Sequence, residues 1–145
     1  MSLVRDVKDI MEDTDFEPDP YDGSSKEACR KAKLEGLDII ESNPRLLILD
    51  IDSTQDLDFC RKQLIKFRYF LAIEKIEFNV SRSQHFHIKV HLTKDIEDEK
   101  LRIMYQSLLG SDRVKEFLSI LRLNTLDLPA SVLFSTKNPW MELKF

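Results

Sequence analysis

The sequence predicts an α+β domain built on an antiparallel sheet, and three observations predict it. Residues 73–81 set Ile76, Phe78 and Val80 against Glu77 and Asn79, and residues 85–92 set Phe86, Ile88, Val90 and Leu92 against His85, His87, Lys89 and His91. A period of two is the mark of a strand with one buried face. The apolar run Leu46-Leu47-Ile48-Leu49 opens a third strand and closes on Asp50-Ile51-Asp52-Ser53. Between and after these, apolar residues recur at helical spacing, as in Leu57, Cys60, Leu64 and Phe67.

Taken in order, Leu3, Val4, Val7, Ile10 and Met11 suit a short amphipathic helix over residues 2–11. Residues 12–22 hold six acids (Glu12, Asp13, Asp15, Glu17, Asp19, Asp22), two prolines and no base, which reads as an irregular solvated loop. The sharper alternative is an acidic arm that mimics nucleic acid or docks on a basic partner. Ser24 or Ser25 can cap a helix running to about Leu34, and Gly36 ends it. Leu37–Glu41 is a short strand closed by Asn43-Pro44, and strand 45–52 comes next. Ser53, with Asp56 three residues on, caps a helix over 54–70. After the two alternating strands come helices near 97–109 and 111–122, broken at Gly110-Ser111-Asp112. Val132-Leu133-Phe134 is a late strand, and Trp140–Phe145 suits an edge strand.

From residue 45 the order is β-α-β-β-α-β, which is the ferredoxin-like, RRM-type arrangement of a four-stranded antiparallel sheet with helices on one face. Residues 1–44 are expected as N-terminal helices and an acidic loop packing on the 45–145 core, all in one structural domain. In that topology the first and third strands are central neighbours. Alternation then places Asp50 and Asp52, and His85, His87, Lys89 and His91, together on the open face.

Composition limits the function classes. The 145 residues are 42% hydrophobic and 33% charged, with net charge −4, which argues against a protein that holds nucleic acid by its phosphates alone. Outside residues 12–22 the balance is 22 Lys and Arg against 20 Asp and Glu, because six of the 26 acids lie in that stretch. No apolar run is long enough to span a membrane, and Arg5 and Asp6 come too early for a secretory signal. Cys29 and Cys60 fall in predicted helices without metal-ligand spacing, as reduced, half-buried thiols of a cytoplasmic protein would.

Three chemistries could use the shared face. In the first, Asp50 and Asp52 hold Mg²⁺ or Mn²⁺, and His87, Lys89 and Arg82 meet a nucleotide's phosphates. In the second, His85 and His87 share one divalent ion beside a nucleophilic tyrosine, Tyr105 or Tyr69, as in HUH-type rolling-circle endonucleases. The third is a zinc site of His85, His87 and His91, which has no fourth ligand at usual spacing. The plain readings stand beside them. D-x-D-Ser is also a strand end with a helix N-cap, where carboxylates favour the positive helix end. Alternating His and Lys is also an ordinary solvated strand, and Gly110-Ser111-Asp112-Arg113 a helix-to-helix turn.

The pair Leu46–Ser53 and Ser81–Leu92 resembles motifs I and II of archaeo-eukaryotic primases and primase-polymerases. The resemblance implies metal-binding and catalytic roles for Asp50 and Asp52, and phosphate contact by His87, or less directly His85. Ser83, Lys89, Arg82 and Arg113 join the nucleotide-binding set. A third metal-binding acid falls on Asp112 or on Asp127. More loosely, Ser24–Gly36 and the run Leu101–Arg122 look like small uncharacterised proteins of phages and mobile elements. The chain lacks the zinc stem and helical priming domain usual in primases. Together the two resemblances imply a phage- or plasmid-encoded replication protein using Mg²⁺ or Mn²⁺, with nucleotides, single-stranded DNA or a template, and replication proteins as partners, and no membrane. The rival expectation is a non-catalytic phage interaction protein that keeps the palm-like fold.

Overall fold

A computed structural model describes residues 25–80 and 85–144. The helix expected over 2–11, the acidic stretch 12–22, and Arg82 and Ser83 lie outside the described residues. Four helices and two antiparallel sheets make up the described chain: α1 (Ser25–Leu34), β1 (Asp38–Glu41), β2 (Leu46–Ile51), α2 (Thr54–Phe67), β3 (Ile73–Val80), β4 (Phe86–Leu92), α3 (Glu99–Leu108), α4 (Arg113–Asn124), β5 (Val132–Ser135) and β6 (Met141–Glu142). The larger sheet has the order β2-β4-β3-β6, and β1 pairs with β5 in the smaller one.

Alternation sets the register. Asp50 faces His87, Ile48 faces Lys89 and Leu46 faces His91 across β2 and β4, while Asn79 faces His87 across β3 and β4. The other set of residues, Leu47, Leu49, Ile51, Ile88, Val90 and Ile76, is wholly or nearly buried against Cys60 and Leu64 of α2 and against Leu109. Cys60 is therefore a fully buried core thiol rather than a half-buried one; Cys29 is partly buried, and both are free. Burial pushes the Cys60 thiol up to about 12, so it stays protonated and behaves as a small apolar side chain.

Caps fall where short polar residues precede helical runs. Ser53 Oγ accepts the Asp56 N–H at the start of α2, and Asp112 accepts the Lys115 N–H at the start of α4. Gly36 takes the left-handed conformation after α1, and the Leu37 N–H returns to the Ala32 carbonyl. Gly110 has φ +99°, and an added Cβ would stand 3.1 Å from a ring carbon of Phe59. Gly110→Ala is expected to lower stability by about 1 kcal/mol or more, read from the urea midpoint, mainly through that backbone conformation.

The late strand does not hydrogen-bond into the main sheet. β5 lies against β2 but pairs with β1, from Asp38–Ser135 to Glu41–Val132. The outward polar groups of β2 are closed by the α3–α4 turn. Ile48 N–H is accepted by Gln106 Oε1 at 3.1 Å and Asp50 N–H by Ser111 Oγ at 3.0 Å. Asp112 N–H donates to the Asp50 carbonyl at 2.6 Å, and Lys115 Nζ donates to the Ile48 carbonyl at 3.3 Å. An edge strand must satisfy its backbone somehow, and here side chains replace a neighbouring strand. The tail supplies the opposite edge, with β6 pairing to Phe78 and Glu77 of β3.

The face expected to be open is mostly covered. Ile48 is fully buried and His87 is 5% exposed. Ser135 of β5 sits over the row of His87 and Asn79, and the Lys89 ammonium lies 4.1 Å from the Trp140 ring centroid. Alternation assigns a side chain to a face, but whether that face meets water depends on segments packed across it from elsewhere in the chain.

Candidate functional site

Because β2 ends at Ile51 and α2 begins at Thr54, Asp50 and Asp52 stand at one end of the sheet beside the first residues of β4. His85, just before β4, brings Nδ1 to 3.2 Å from Asp52 Oδ1 and 3.9 Å from Asp50 Oδ1. Ligand atoms of Asp50, Asp52 and His85 all lie within 4.8 Å of one another. His87 Nε2 approaches Asp50 Oδ1 from the other side, at 3.6 Å. The bond from Asp112 N–H to the Asp50 carbonyl brings a third acid to the same place, where its carboxylate hydrogen-bonds with Asp52.

The acids repel, and their surroundings give them little relief. Burial and the Asp112 charge push Asp50 up to about 6, against the opposing pull of His85 and Lys115. Asp52 is pushed up to about 7 by partial burial, by its hydrogen bond with Asp112, and by the charges of Asp112 and Asp50. Asp50 Oδ1 is shielded from water and has no hydrogen-bond partner, both imidazole nitrogens being too distant. A buried carboxylate oxygen without a donor is costly, and a cation is the kind of ligand that offsets such a cost.

The cluster fits a small divalent ion. Donors around such an ion, each at about 2.1 Å, stand roughly 3 Å apart in octahedral coordination; His85 and Asp52 are at 3.2 Å, His85 and Asp50 at 3.9 Å, so a small inward turn of the side chains would close the set. Carboxylate oxygens suit Mg²⁺ and Mn²⁺, and an imidazole among them is the softer donor that Mn²⁺ accepts more readily.

His87 is a neutral imidazole. Burial pushes its pKa down to about 4, and the charges of His85 and Lys115 act the same way. Nδ1 lies 3.0 Å from Ser135 Oγ, which also accepts from Asn79 Nδ2 at 2.9 Å. Ser135 Oγ also donates to Asn79 Oδ1 at 3.2 Å; when that proton turns to Nδ1 instead, the ring carries its own proton on Nε2, facing Asp50.

The other expected residues disperse. Lys89 is held under Trp140, and His91 Nε2 pairs with Glu77 at 2.6 Å, which leaves no three-histidine zinc site. Asp127 accepts the backbone N–H of Ser25 at the start of α1 and is not the third acid. Arg113 is exposed in the first turn of α4, next to Asp112. Tyr105 packs edge-on to Phe70 beside Ala72 and Ile96, and Tyr69 follows the far end of α2. Both tyrosines are therefore at the end of the sheet away from His85 and His87.

Five residues escaped the sequence reading: Gln106, Ser111, Lys115, Glu116 and Ser135. Gln106 Nε2 donates to Glu116 Oε1 at 2.8 Å, and Lys115 Nζ reaches both Glu116 oxygens at 3.0 and 3.1 Å. The signal was a cluster of polar residues (Gln106, Ser111, Asp112, Lys115, Glu116) around a turn that should otherwise have been solvated. No helix among the described residues is long and apolar enough to cross a membrane. Comparison with models of protein families, with curated proteins and with solved structures finds no match for the chain.

Proposed function

We propose that Asp50, Asp52 and His85, with Asp112 alongside, hold a divalent cation, and that the chain is a primase-like, phage- or plasmid-type replication domain that binds nucleotides for metal-dependent nucleotidyl transfer. The observation that carries this reading is the gathering of Asp52 and Asp112 beside Asp50, whose Oδ1 is a buried oxygen with no hydrogen-bond partner. The finer description of the fold belongs to the same proposal: β2-α2-β3-β4 followed by α3-α4-β5 has the order of a ferredoxin-like palm, with β5 beside β2 where its fourth strand would stand.

Bound Mg²⁺ or Mn²⁺ would neutralise phosphate charge and favour an in-line displacement. The chain's own groups set the rest. Asp50 is fixed at both backbone atoms by Ser111 and Asp112, so its carboxylate is presented without a search. Neutral His87 can donate from Nε2 to a phosphate oxygen without bringing a charge that would compete for the acids. Arg113 and the exposed edge of His85 flank the approach, and single-stranded DNA or a template would enter from that side.

The test is a thermal-shift titration at pH 7.5 with Mn²⁺, then with a nucleoside triphosphate, on wild type and on Asp50→Ala/Asp52→Ala. At a hundredfold excess over Kd, wild type is expected to gain about 5 °C or more, and the double variant nothing. An equal shift in both proteins, or none in wild type, refutes the cation site.

A second reading is favoured by one observation. Ser135 and Trp140 cover much of the sheet face, as suits a non-catalytic phage protein that keeps a palm-like fold and binds a replication partner. Mn²⁺ binding without any effect of nucleotide on the melting temperature supports this alternative.

A further inference from the structure

Residues 59–70, in α2 and the turn that follows it, hold four cations (Arg61, Lys62, Lys66, Arg68), four aromatic rings (Phe59, Phe67, Tyr69, Phe70) and no acid, in a chain of net charge −4. Cys60, Leu64 and Phe67 turn one side of the helix to the core. Lys62, Ile65, Lys66 and Tyr69, at i, i+3, i+4 and i+7, therefore form an exposed row on the other side. Arg61 flanks that row on the side of Leu143 and Lys144, while Phe59 and Phe70 flank it beside Gly110 and the Tyr105 ring. Tyr69 is 87% exposed and Phe70 71%, and large rings left to water mark an interaction surface. Cations and rings are interleaved on it. The Arg68 guanidinium lies 5.5 Å from the Tyr69 ring centroid, and the Lys66 ammonium 5.7 Å from that of Phe67. Among the described residues no carboxylate pairs with Arg61 or Lys66. Lys62 pairs with Asp58 at 3.1 Å, but both side chains are exposed, and such a pair is readily exchanged for another anion.

We infer that this face binds single-stranded nucleic acid: phosphates meet Arg61, Lys62, Lys66 and Arg68, and unstacked bases meet the rings of Tyr69 and Phe70. Such a strand offers a negative charge and a flat π-face at every step, and basic side chains interleaved with exposed rings complement both. A hollow of about 380 Å³ continues the surface past Phe70, between Ile96, Leu101 and Tyr105. Its rim carries Lys94 but also Asp95, Glu97 and Asp98, so it suits a neutral base rather than a phosphate. Two other anionic partners fit less well. A duplex keeps its base faces stacked on one another and leaves the rings unused. An anionic bilayer is best met by an apolar stripe, and in the row of Lys62, Lys66 and Tyr69 only Ile65 is aliphatic. The inference deepens the replication reading, on which its biological sense rests, while the binding itself needs no cation at Asp50.

Fluorescence anisotropy of a labelled twelve-nucleotide oligodeoxythymidylate, in EDTA and without nucleoside triphosphate, tests this apart from the cation site. With four phosphates neutralised, wild-type affinity is expected to fall about 50-fold between about 50 and 200 mM salt. Tyr69→Ala should weaken binding roughly tenfold and leave that salt dependence unchanged. Lys62→Gln/Lys66→Gln should also weaken it, and should cut the fall to about sevenfold, because two of the four phosphate contacts remain. All three side chains are exposed, and an unchanged melting temperature verifies the fold of each variant. Binding that survives both variants overturns the proposal, and so does the absence of binding in wild type. Equal affinity for a duplex or for polyglutamate of the same length overturns it as well, since either would mark a general polyanion site. Binding to phosphatidylserine vesicles that is lost in the same variants, with none to the oligomer in any protein, would give the face to a membrane instead.

Discussion

Replacing Lys115 with methionine is expected to cost about 3–5 kcal/mol of folding stability, more than most single substitutions do. Glu116 is 2% exposed and has two partners, the Lys115 ammonium and the Gln106 amide. Without the ammonium, a buried carboxylate keeps one neutral donor, and the Ile48 carbonyl at the edge of β2 loses its cationic one. An uncompensated charge in a low-dielectric setting is far more costly than the intact pair is favourable. The double variant Lys115→Met/Glu116→Leu should therefore recover most of the loss, because both charges leave together. Gln106 would still donate to Ser131 Oγ at 3.1 Å and accept from Ile48 at 3.1 Å, so the edge would stay closed. Urea unfolding of the two variants against wild type decides the matter. A single variant that loses less than about 1 kcal/mol would mean that Glu116 finds water or another cation, and that the turn is looser than its hydrogen bonds indicate.

That prediction depends on contacts that sequence spacing could not reveal. The strands were legible because one face of each is apolar, and the cap at Ser53 because a short side chain with an acceptor oxygen preceded a helical run; at the Gly110–Arg113 turn the spacing left Ser111 and Asp112 both open, and the structure uses Asp112. That the Asp50 strand lies beside the His87 strand followed from the β-α-β-β order, but the register that sets Asp50 opposite His87 did not. The partner of β5 was not legible, since nothing in Val132–Phe134 distinguishes the edge of β2 from the edge of β1. What decides it is the occupation of the β2 edge by Gln106 and Ser111, which lie 58 and 61 residues away in sequence. The same bonds choose Asp112 over Asp127 as the third acid. Spacing left both open, but Ser111 and Asp112 are fastened to Asp50, while Asp127 is used up at Ser25. Burial of His87 was hidden for the related reason that its cover, Ser135, comes from β5.

Asp50→Asn is expected to make the metal-free protein more stable at pH 7.5, by about 1–3 kcal/mol, which is the reverse of the usual effect of altering a well-placed buried polar residue. In the folded chain Asp50 binds its proton up to a pH of about 6, against 3.8 for an ordinary aspartate. The folded state is thus the more protonated one between these values, so stability falls as pH rises through that window and stays reduced above it. Asp52, raised to about 7, acts in the same direction, but its side chain is 43% exposed and solvent screens much of the effect. His87 opposes both. Its pKa is lowered from 6.5 to about 4, so stability rises with pH over much of the same interval. The overall pH profile of wild type is therefore a partial cancellation, and the difference between the two proteins is the quantity that isolates Asp50. Wild type and Asp50→Asn should have nearly equal stability at about pH 4 and below, diverge as the pH rises from there to about 6, and keep that difference above it, measured by urea unfolding in the presence of a chelator. Saturating Mn²⁺ should then reverse the order at pH 7.5, because wild type gains the ligand and Asp50→Asn has lost a charged donor. An Asp50→Asn protein that is less stable than wild type at pH 7.5 without metal would show that Asp50 is a structural acid, and that the pressure in this cluster is relieved by the protein alone.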